Sequence, residues 1–251
     1  MHKKINLNER IFIAGSTGMV GQAIKRHLVK SGYGLKKIGG ELLTPNREEL
    51  NLLDTAMVKD WFYRNKPTIV ILAAARVGGI LANSENPTEF ILENIKIQNN
   101  VIENAWKFGV KRLLFLGSSC IYPKDAIQPI IEESLLTGEL EETNQWYAIA
   151  KISGIKLCEA LRKQYNFDAI SVMPTNLYGP HDNYHTRNSH VMAAFIKKFY
   201  DANKNLLPSI TLWGSGKPFR EFMHVDDLAS SIIFLLEKWD PNSKNAPLDN
   251  K

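Results

Sequence analysis

Tyr147 and Lys151 place a phenol and an ammonium four residues apart, one turn from each other on one face of a predicted helix. A free tyrosine titrates near ~10, too high for efficient acid–base work at neutral pH. A close lysine cation stabilises the phenolate and lowers that value. Ser118 completes a Ser, Tyr, Lys set. It lies in Gly117-Ser118-Ser119-Cys120, directly after a predicted strand at residues 112–116, at the carboxyl edge where α/β sheets bind ligands. There its hydroxyl can bond a substrate carbonyl oxygen. Cys120, two residues on, can reach the same substrate from another side, and in a basic pocket a thiol of lowered pKa acts as a base. A buried, inert cysteine is the alternative. Cys158 aligns with Ile155 and Leu161 at helical spacing and reads as core. Among six histidines, His190 opens a helix facing the cleft and is the candidate acid.

A second constellation lies near the N-terminus. Gly15-Ser16-Thr17-Gly18-Met19-Val20-Gly21 follows a predicted strand and opens a predicted helix, the context of a dinucleotide fingerprint. Gly15 permits the tight turn, Gly18 lets the backbone approach a pyrophosphate at the helix N-terminus, and Gly21 lets helix and strand pack closely. The Gly-x-x-Gly-x-x-Gly spacing points to the short-chain dehydrogenase/reductase group, in which Lys151 also holds the nicotinamide ribose. Arg47, after the second strand, favours NADP(H), because an arginine there accommodates a 2′-phosphate. The competing reading of Arg47 is a solvated side chain opening a turn at residues 46–50.

These residues need a scaffold, and apolar runs of four to eight residues alternating with helical periods supply one. The pattern predicts an α/β fold, a Rossmann-type doubly wound parallel sheet with a smaller substrate-binding region. Strands are expected at residues 10–14, 68–73, 112–116 and 169–173, and helices at 19–30, 55–64, 87–108 and 144–165. Residues 41–44 and 36–38 compete for the second strand. The dinucleotide-binding domain is expected over residues 1–175. The substrate-binding region follows over 176–251, with a helix at 191–200, a strand at 210–213 and a helix at 225–238 that returns to the first domain. Residues 239–251 read as a loose tail.

The chain has 251 residues, 44% hydrophobic and 23% charged, which excludes disordered and collagenous classes. Its apolar runs fall far short of the ~18 residues of a membrane span, and no secretory leader is evident, so the expected location is cytoplasmic, with no membrane partner. Two cysteines in no metal-ligand spacing predict neither metal nor disulfide. The net charge of +5 is scattered, so no nucleic-acid partner is expected.

The strings Leu113-Leu114-Phe115-Leu116-Gly117-Ser118-Ser119-Cys120-Ile121-Tyr122-Pro123, Tyr147 to Lys151, Met173-Pro174-Thr175-Asn176-Leu177-Tyr178-Gly179-Pro180, Ser189-His190-Val191 and Trp213-Gly214-Ser215-Gly216, with Val77-Gly78-Gly79, resemble the GDP-L-fucose synthases. The match covers nearly all of residues 10–238. The resemblance implies epimerisation of GDP-4-keto-6-deoxy-D-mannose at C3 and C5, then NADPH-dependent reduction at C4. It implies that Cys120 is the base, His190 the acid on the opposite face, and Tyr147 the donor to O4. It assigns Ser16, Thr17, Met19, Val20, Asn51, Leu52, Leu116, Gly117, Pro174, Thr175, Asn176, Leu177 and His190 to the cofactor. Lys198, Trp213 and Arg220 go to the GDP-sugar. It also implies a homodimer through helices 87–108 and 144–165.

Two departures from the family pattern stand out. Thr17 replaces an arginine that often helps clamp the 2′-phosphate, leaving Arg47 to set the NADP preference. The family's chain also runs on past this terminus, so an uncovered apolar face is expected on the substrate-binding region. A nucleotide-sugar 4-epimerase or dehydratase of the same group, and a cofactor-binding protein without turnover, are the competing functions.

Overall fold

The computed structural model describes residues 4–185, 189–212, 214–217 and 219–240. Its centre is a five-stranded, wholly parallel sheet in the order β2-β1-β3-β4-β5, formed by β1 (Arg10–Ala14), β2 (Glu41–Leu43), β3 (Ile69–Leu72), β4 (Arg112–Leu116) and β5 (Ala169–Val172). The strands are apolar on both faces because helices cover both. Phe12, Val70, Leu72, Leu113 and Phe115 point to one side, under α2 (Thr55–Asn65), α4 (Pro87–Lys107) and α5 (Gln145–Tyr165). Ile11, Ile13, Ile69, Ile71, Leu114 and Leu116 point to the other, under α1 (Met19–Lys30) and α7 (Val225–Lys238). That alternation is the period-2 pleat read directly from the side chains.

Local chemistry sets the boundaries. Pro87 opens α4 at the first turn, where its missing N–H costs nothing. The Asp54 carboxylate accepts from the Met57 N–H at 2.9 Å and caps α2. Asn166, in the left-handed conformation at φ 54°, ends α5. The chain reverses direction in the sheet order at β1 and β3, so a crevice opens at the carboxyl ends of these strands, beside the glycine loop.

Between β5 and α7 the chain leaves the sheet. β6 (Asn176–Tyr178) and β7 (Phe222–His224) pair in parallel as a separate two-stranded sheet, and α6 (Val191–Lys204) lies between them in sequence. Ile196, Phe199 and Tyr200 of α6 are exposed. α7 then packs on α1 through buried Val225, Leu228, Ala229, Ile232 and Leu236. Arg112 ties that return to the sheet. Its guanidinium pairs with Asp168 at 2.7 Å and donates to the Leu236 carbonyl at 2.7 Å and the Trp239 carbonyl at 3.1 Å.

The structure corrects one expectation and decides another. Of the strand expected at 210–213, residues 210–212 are not a strand, and residue 213 lies outside the described residues: among the described residues no neighbouring strand offers a ladder, and an unpaired segment gains nothing from extension. β6 and β7, too short to announce themselves, form instead. The second strand is Glu41–Leu43, while Lys36–Ile38 is a 3₁₀ turn ending at Gly39. A further short helix, α3 (Ile80–Glu85), precedes α4.

Candidate active site

β4 delivers the serine and the thiol. Gly117 continues the ladder by donating to the Val172 carbonyl at 2.8 Å, and Ser119 N–H donates to the Pro174 carbonyl at 3.2 Å. The chain then coils into a 3₁₀ turn at Ser119–Ile121 whose cap is Ser118, its Oγ accepting from the Cys120 N–H at 3.4 Å. This tight turn folds the Cys120 thiol back onto the serine, where Sγ donates to Oγ at 3.0 Å. The same Ser118 side chain lies close enough to the Tyr147 hydroxyl to act on its proton affinity. One turn along α5, buried Lys151 donates from Nζ to the Leu116 carbonyl at 2.6 Å, with Nζ 5.7 Å from the Tyr147 ring centroid. Four of the residues expected to act together are thus brought together.

Their electrostatics differ from the sequence expectation. Burial pushes the Tyr147 hydroxyl well above the usual phenol range, the neighbouring Cys120 adds to this, and the Ser118 hydrogen bond opposes it. A phenolate stabilised by Lys151 is therefore not what this arrangement gives, because Lys151 spends its nearest bond on Leu116 and is itself depressed by burial to about 8. Tyr147 is held as a proton donor. The Cys120 thiol is likewise raised by burial rather than lowered, against the pull of the Ser118 hydrogen bond and the Lys151 cation.

The glycine loop turns from β1 into α1. At Gly15, with φ of 86°, a Cβ would lie 2.7 Å from the Ala74 nitrogen, and at Gly21 it would lie 2.1 Å from the Gly15 carbonyl oxygen. Neither position takes a side chain, which leaves the loop backbone bare. Gly18 caps α1 without any side-chain bond, and the first turn holds no acidic residue. Bare N–H groups at the positive end of a helix suit a pyrophosphate. Ser16 Oγ donates to the Pro45 carbonyl at 3.4 Å, bringing the segment that carries Arg47 to the loop. Arg47 and Thr17 are exposed, and Arg47 has no hydrogen-bond or ion-pair partner among the described residues. The cradle and the free guanidinium fit a phosphorylated dinucleotide. Leu52 is positioned by Asn100, whose Nδ2 donates to its carbonyl at 2.8 Å, and Asn51 Oδ1 accepts from Leu53 N–H at 3.2 Å.

The remaining candidates lie farther along. Pro174, Thr175, Asn176 and Leu177 are half-buried in and before β6, and the Asn176 amide donates to the Glu221 carbonyl at 3.0 Å. His190 is the exposed N-cap residue of α6 and has no hydrogen bond, ion pair or ring contact with Cys120, Ser118 or Tyr147. Its charge acts on Asp182, opposing the burial that raises that carboxyl. Lys198 on α6 donates to the Thr211 carbonyl at 3.2 Å. Arg220 is exposed and, among the described residues, bonds the Phe219 carbonyl at 2.8 Å. Trp213 lies outside the described residues. Among the described residues no group of three or more His, Cys, Asp or Glu can hold a metal, and no helix is long and apolar enough to cross a membrane.

The model of the NAD dependent epimerase/dehydratase family matches residues 11–246. GDP-L-fucose synthase 1 of Arabidopsis thaliana is 54% identical over 230 residues, which is 92% of this chain and 69% of that one. GDP-L-fucose synthase of Escherichia coli K12 is 53% identical over 229 residues, 91% of this chain and 70% of that one. The chain belongs to the GDP-L-fucose synthases. A solved GDP-L-fucose synthetase from Naegleria fowleri, bound to NADP, superposes with a TM-score of 0.82 at 30% identity, covering 94% of this chain and 75% of its own.

Another set of neighbours flanks the tyrosine and does not stand out in the sequence. Phe90 of α4 meets the Tyr147 ring edge-on with centroids 6.4 Å apart, and Arg76 lies over Phe90 while pairing with Glu93 at 3.0 Å. The Asn94 side chain accepts from the Arg76 N–H at 2.8 Å and donates to its carbonyl at 3.0 Å. The available signal was the glycine pair Gly78-Gly79 just past β3, which marks a close approach at the carboxyl edge of the sheet.

Proposed function

We propose that the chain converts GDP-4-keto-6-deoxy-D-mannose to GDP-L-fucose, inverting C3 and C5 and then reducing C4 with NADPH. The observation that carries this is the grouping of Cys120, hydrogen-bonded to Ser118, with Tyr147 beside that serine and Lys151 behind it, in a chain 53–54% identical to GDP-L-fucose synthases.

The 4-keto group acidifies the C–H bonds at C3 and C5, so a base beside it can remove either proton if the enolate oxygen is stabilised. Cys120 takes the proton once its thiol has lost its own to solvent, with Lys151 favouring the thiolate against the burial that opposes it, and it releases the abstracted proton to solvent before the second inversion. The Ser118 and Tyr147 hydroxyls donate to the enolate oxygen. His190, exposed and able to recharge from water, returns a proton on the opposite face and so inverts the centre. After both inversions Tyr147, held protonated by burial, delivers its proton to O4. Bound NADPH supplies the hydride for that reduction. The bare loop Gly15 to Gly21 and Arg47 hold its phosphates, Lys151 its ribose, and Leu116, Gly117 and residues 174–177 line its nicotinamide side. Arg220 and Lys198, with Trp213, receive the GDP moiety, since an arginine fork matches a diphosphate.

The working form is a homodimer in which α4 and α5 pair with their counterparts, a reading supported by exposed Leu92, Trp146 and Ile149 on these helices. A mass of one chain by light scattering would remove that part. The location is cytoplasmic, a reading supported by two free thiols, one of them working chemically.

NADPH oxidation followed on adding the keto sugar nucleotide tests the reaction. One NADPH consumed per product is expected. Product without consumption indicates a 4-epimerase, which returns its hydride and has no use for a Cys120 and His190 pair. Binding without turnover indicates a cofactor-binding protein.

A further inference from the structure

His190 has no hydrogen bond, ion pair or ring contact with Cys120, Ser118 or Tyr147, so its backbone needs another support to hold it against the site. The loop after β3 does touch both sides. At Gly78 a Cβ would stand 2.9 Å from the Ala82 Cβ and 3.1 Å from the Phe90 Cζ, and Phe90 is the ring that meets Tyr147. At Gly79 a Cβ would stand 2.8 Å from the Ser189 carbonyl oxygen, one residue before His190. Neither glycine has a positive φ in the left-handed region, so what they provide is close approach rather than unusual backbone conformation. The loop itself is pinned at both ends. Asn94 holds Arg76 through its two-way pair, and the Asn83 Nδ2 donates to the Gly78 carbonyl at 2.9 Å and the Gly79 carbonyl at 3.1 Å.

Asn83 is buried, and its Oδ1 has no partner among the described residues. Burying an acceptor unpaired costs free energy, so the side chain is a poor choice for stability alone. Its two donated bonds are what remain to account for it, and both fix the glycine pair.

We propose that Gly78-Gly79, locked by Asn83, is the positioning platform for His190, setting the imidazole's height over the substrate by contact with Ser189. Asn83 and Gly79 are positioning residues that never touch the substrate. The inference rests on the function proposed above for His190, and the experiment separates the two.

Gly79→Ala must push the Ser189 carbonyl away. Solvent deuterium incorporation at C3 and C5 should fall by about tenfold or more, as sub-ångström to ångström displacements of catalytic groups do. In a His190→Asn background the same substitution should change the rate by no more than about twofold, because the group it positions is already gone. Independently of turnover, the His190 imidazole resonances, assigned by their loss in His190→Asn, should shift in Gly79→Ala. Asn83→Ala serves as the second variant, with the same non-additivity and the same resonance shift expected, so failure of Gly79→Ala to fold leaves the question decided by Asn83. Equal losses in both backgrounds, or unmoved His190 resonances in the folded variants, overturn the platform. A wild-type chain that does not turn over the keto sugar, yet shows the resonance shift, overturns the proposed function and keeps the platform.

Discussion

The Cys120 thiol donates to the Ser118 hydroxyl at 3.0 Å, and the same serine side chain acts on the Tyr147 hydroxyl. One serine thus stands between a candidate base for carbon and a candidate acid for oxygen. Both flanking groups are pushed upward by burial, and at Cys120 the Ser118 hydrogen bond and the Lys151 cation oppose that push. That shared contact allows the two half-reactions to be separated by substitution.

Tyr147→Phe removes the proton for O4 and leaves the glycine loop and Arg47 untouched. Reduction should fall by about 10²- to 10⁴-fold, the range of a lost general acid, with NADPH affinity unchanged by fluorescence titration. Weakened NADPH binding with near-normal reduction would reassign Tyr147 to the cofactor site.

Cys120→Ser keeps a hydroxyl beside Ser118 but removes the thiol. Exchange of solvent deuterium into C3 and C5 should slow by about 10²-fold or more, while reduction of any keto sugar already inverted proceeds at close to the normal rate. Exchange at the wild-type rate would show that another group is the base.

Lys151 loses its proton at about 8 rather than at the ordinary 10.5, because burial penalises the ammonium. Between those values the unfolded chain binds more protons than the folded one, so the Lys151 contribution to stability improves as pH rises. The cation itself is lost over the same window. Turnover should therefore decline above pH about 8 while the melting temperature does not decline on account of this group, and Lys151→Arg should move the alkaline limb upward. A flat rate profile to pH 10 would exclude Lys151 as a working cation.

Arg47→Ala should raise the KM for NADPH by about 10- to 100-fold, the worth of a charge-assisted phosphate contact, and change the KM for NADH little. Thr17 offers no charge to compensate. Equal effects on both cofactors would assign Arg47 to the turn rather than to the 2′-phosphate.

Arg112→Ala leaves Asp168 with the Arg162 guanidinium alone, at 3.4 Å, and the last carbonyls of α7 without a donor. Loss of a buried pair costs about 3 to 5 kcal/mol, and the melting temperature should drop by roughly 10 °C. A shift of under about 2 °C would mean that the α1 and α7 packing alone holds this helix.

The sheet was legible because its strands are buried on both faces and its helices carry caps, so β1, β4, α1 and α7 match their expected limits. The glycine loop and the Tyr147 and Lys151 pair were legible because each sits in a local context the chain itself supplies. β6 and β7 were not, since three-residue strands gain their stability from a partner 46 residues away, Asn176 against Phe222, and leave no local pattern. The direction of the Cys120 and Tyr147 shifts was also hidden. Sequence shows that Lys151 is near, but not that Leu116 takes its bond or how deeply the group is buried.

The central claim is that one site inverts two carbons and then reduces a third. Wild-type protein incubated in D₂O with NADPH and GDP-4-keto-6-deoxy-D-mannose, with the product read by NMR, tests it most directly. The account predicts GDP-L-fucose carrying deuterium at both C3 and C5, with one NADPH consumed per molecule. Consumption of NADPH to give a product without deuterium at either carbon would contradict it.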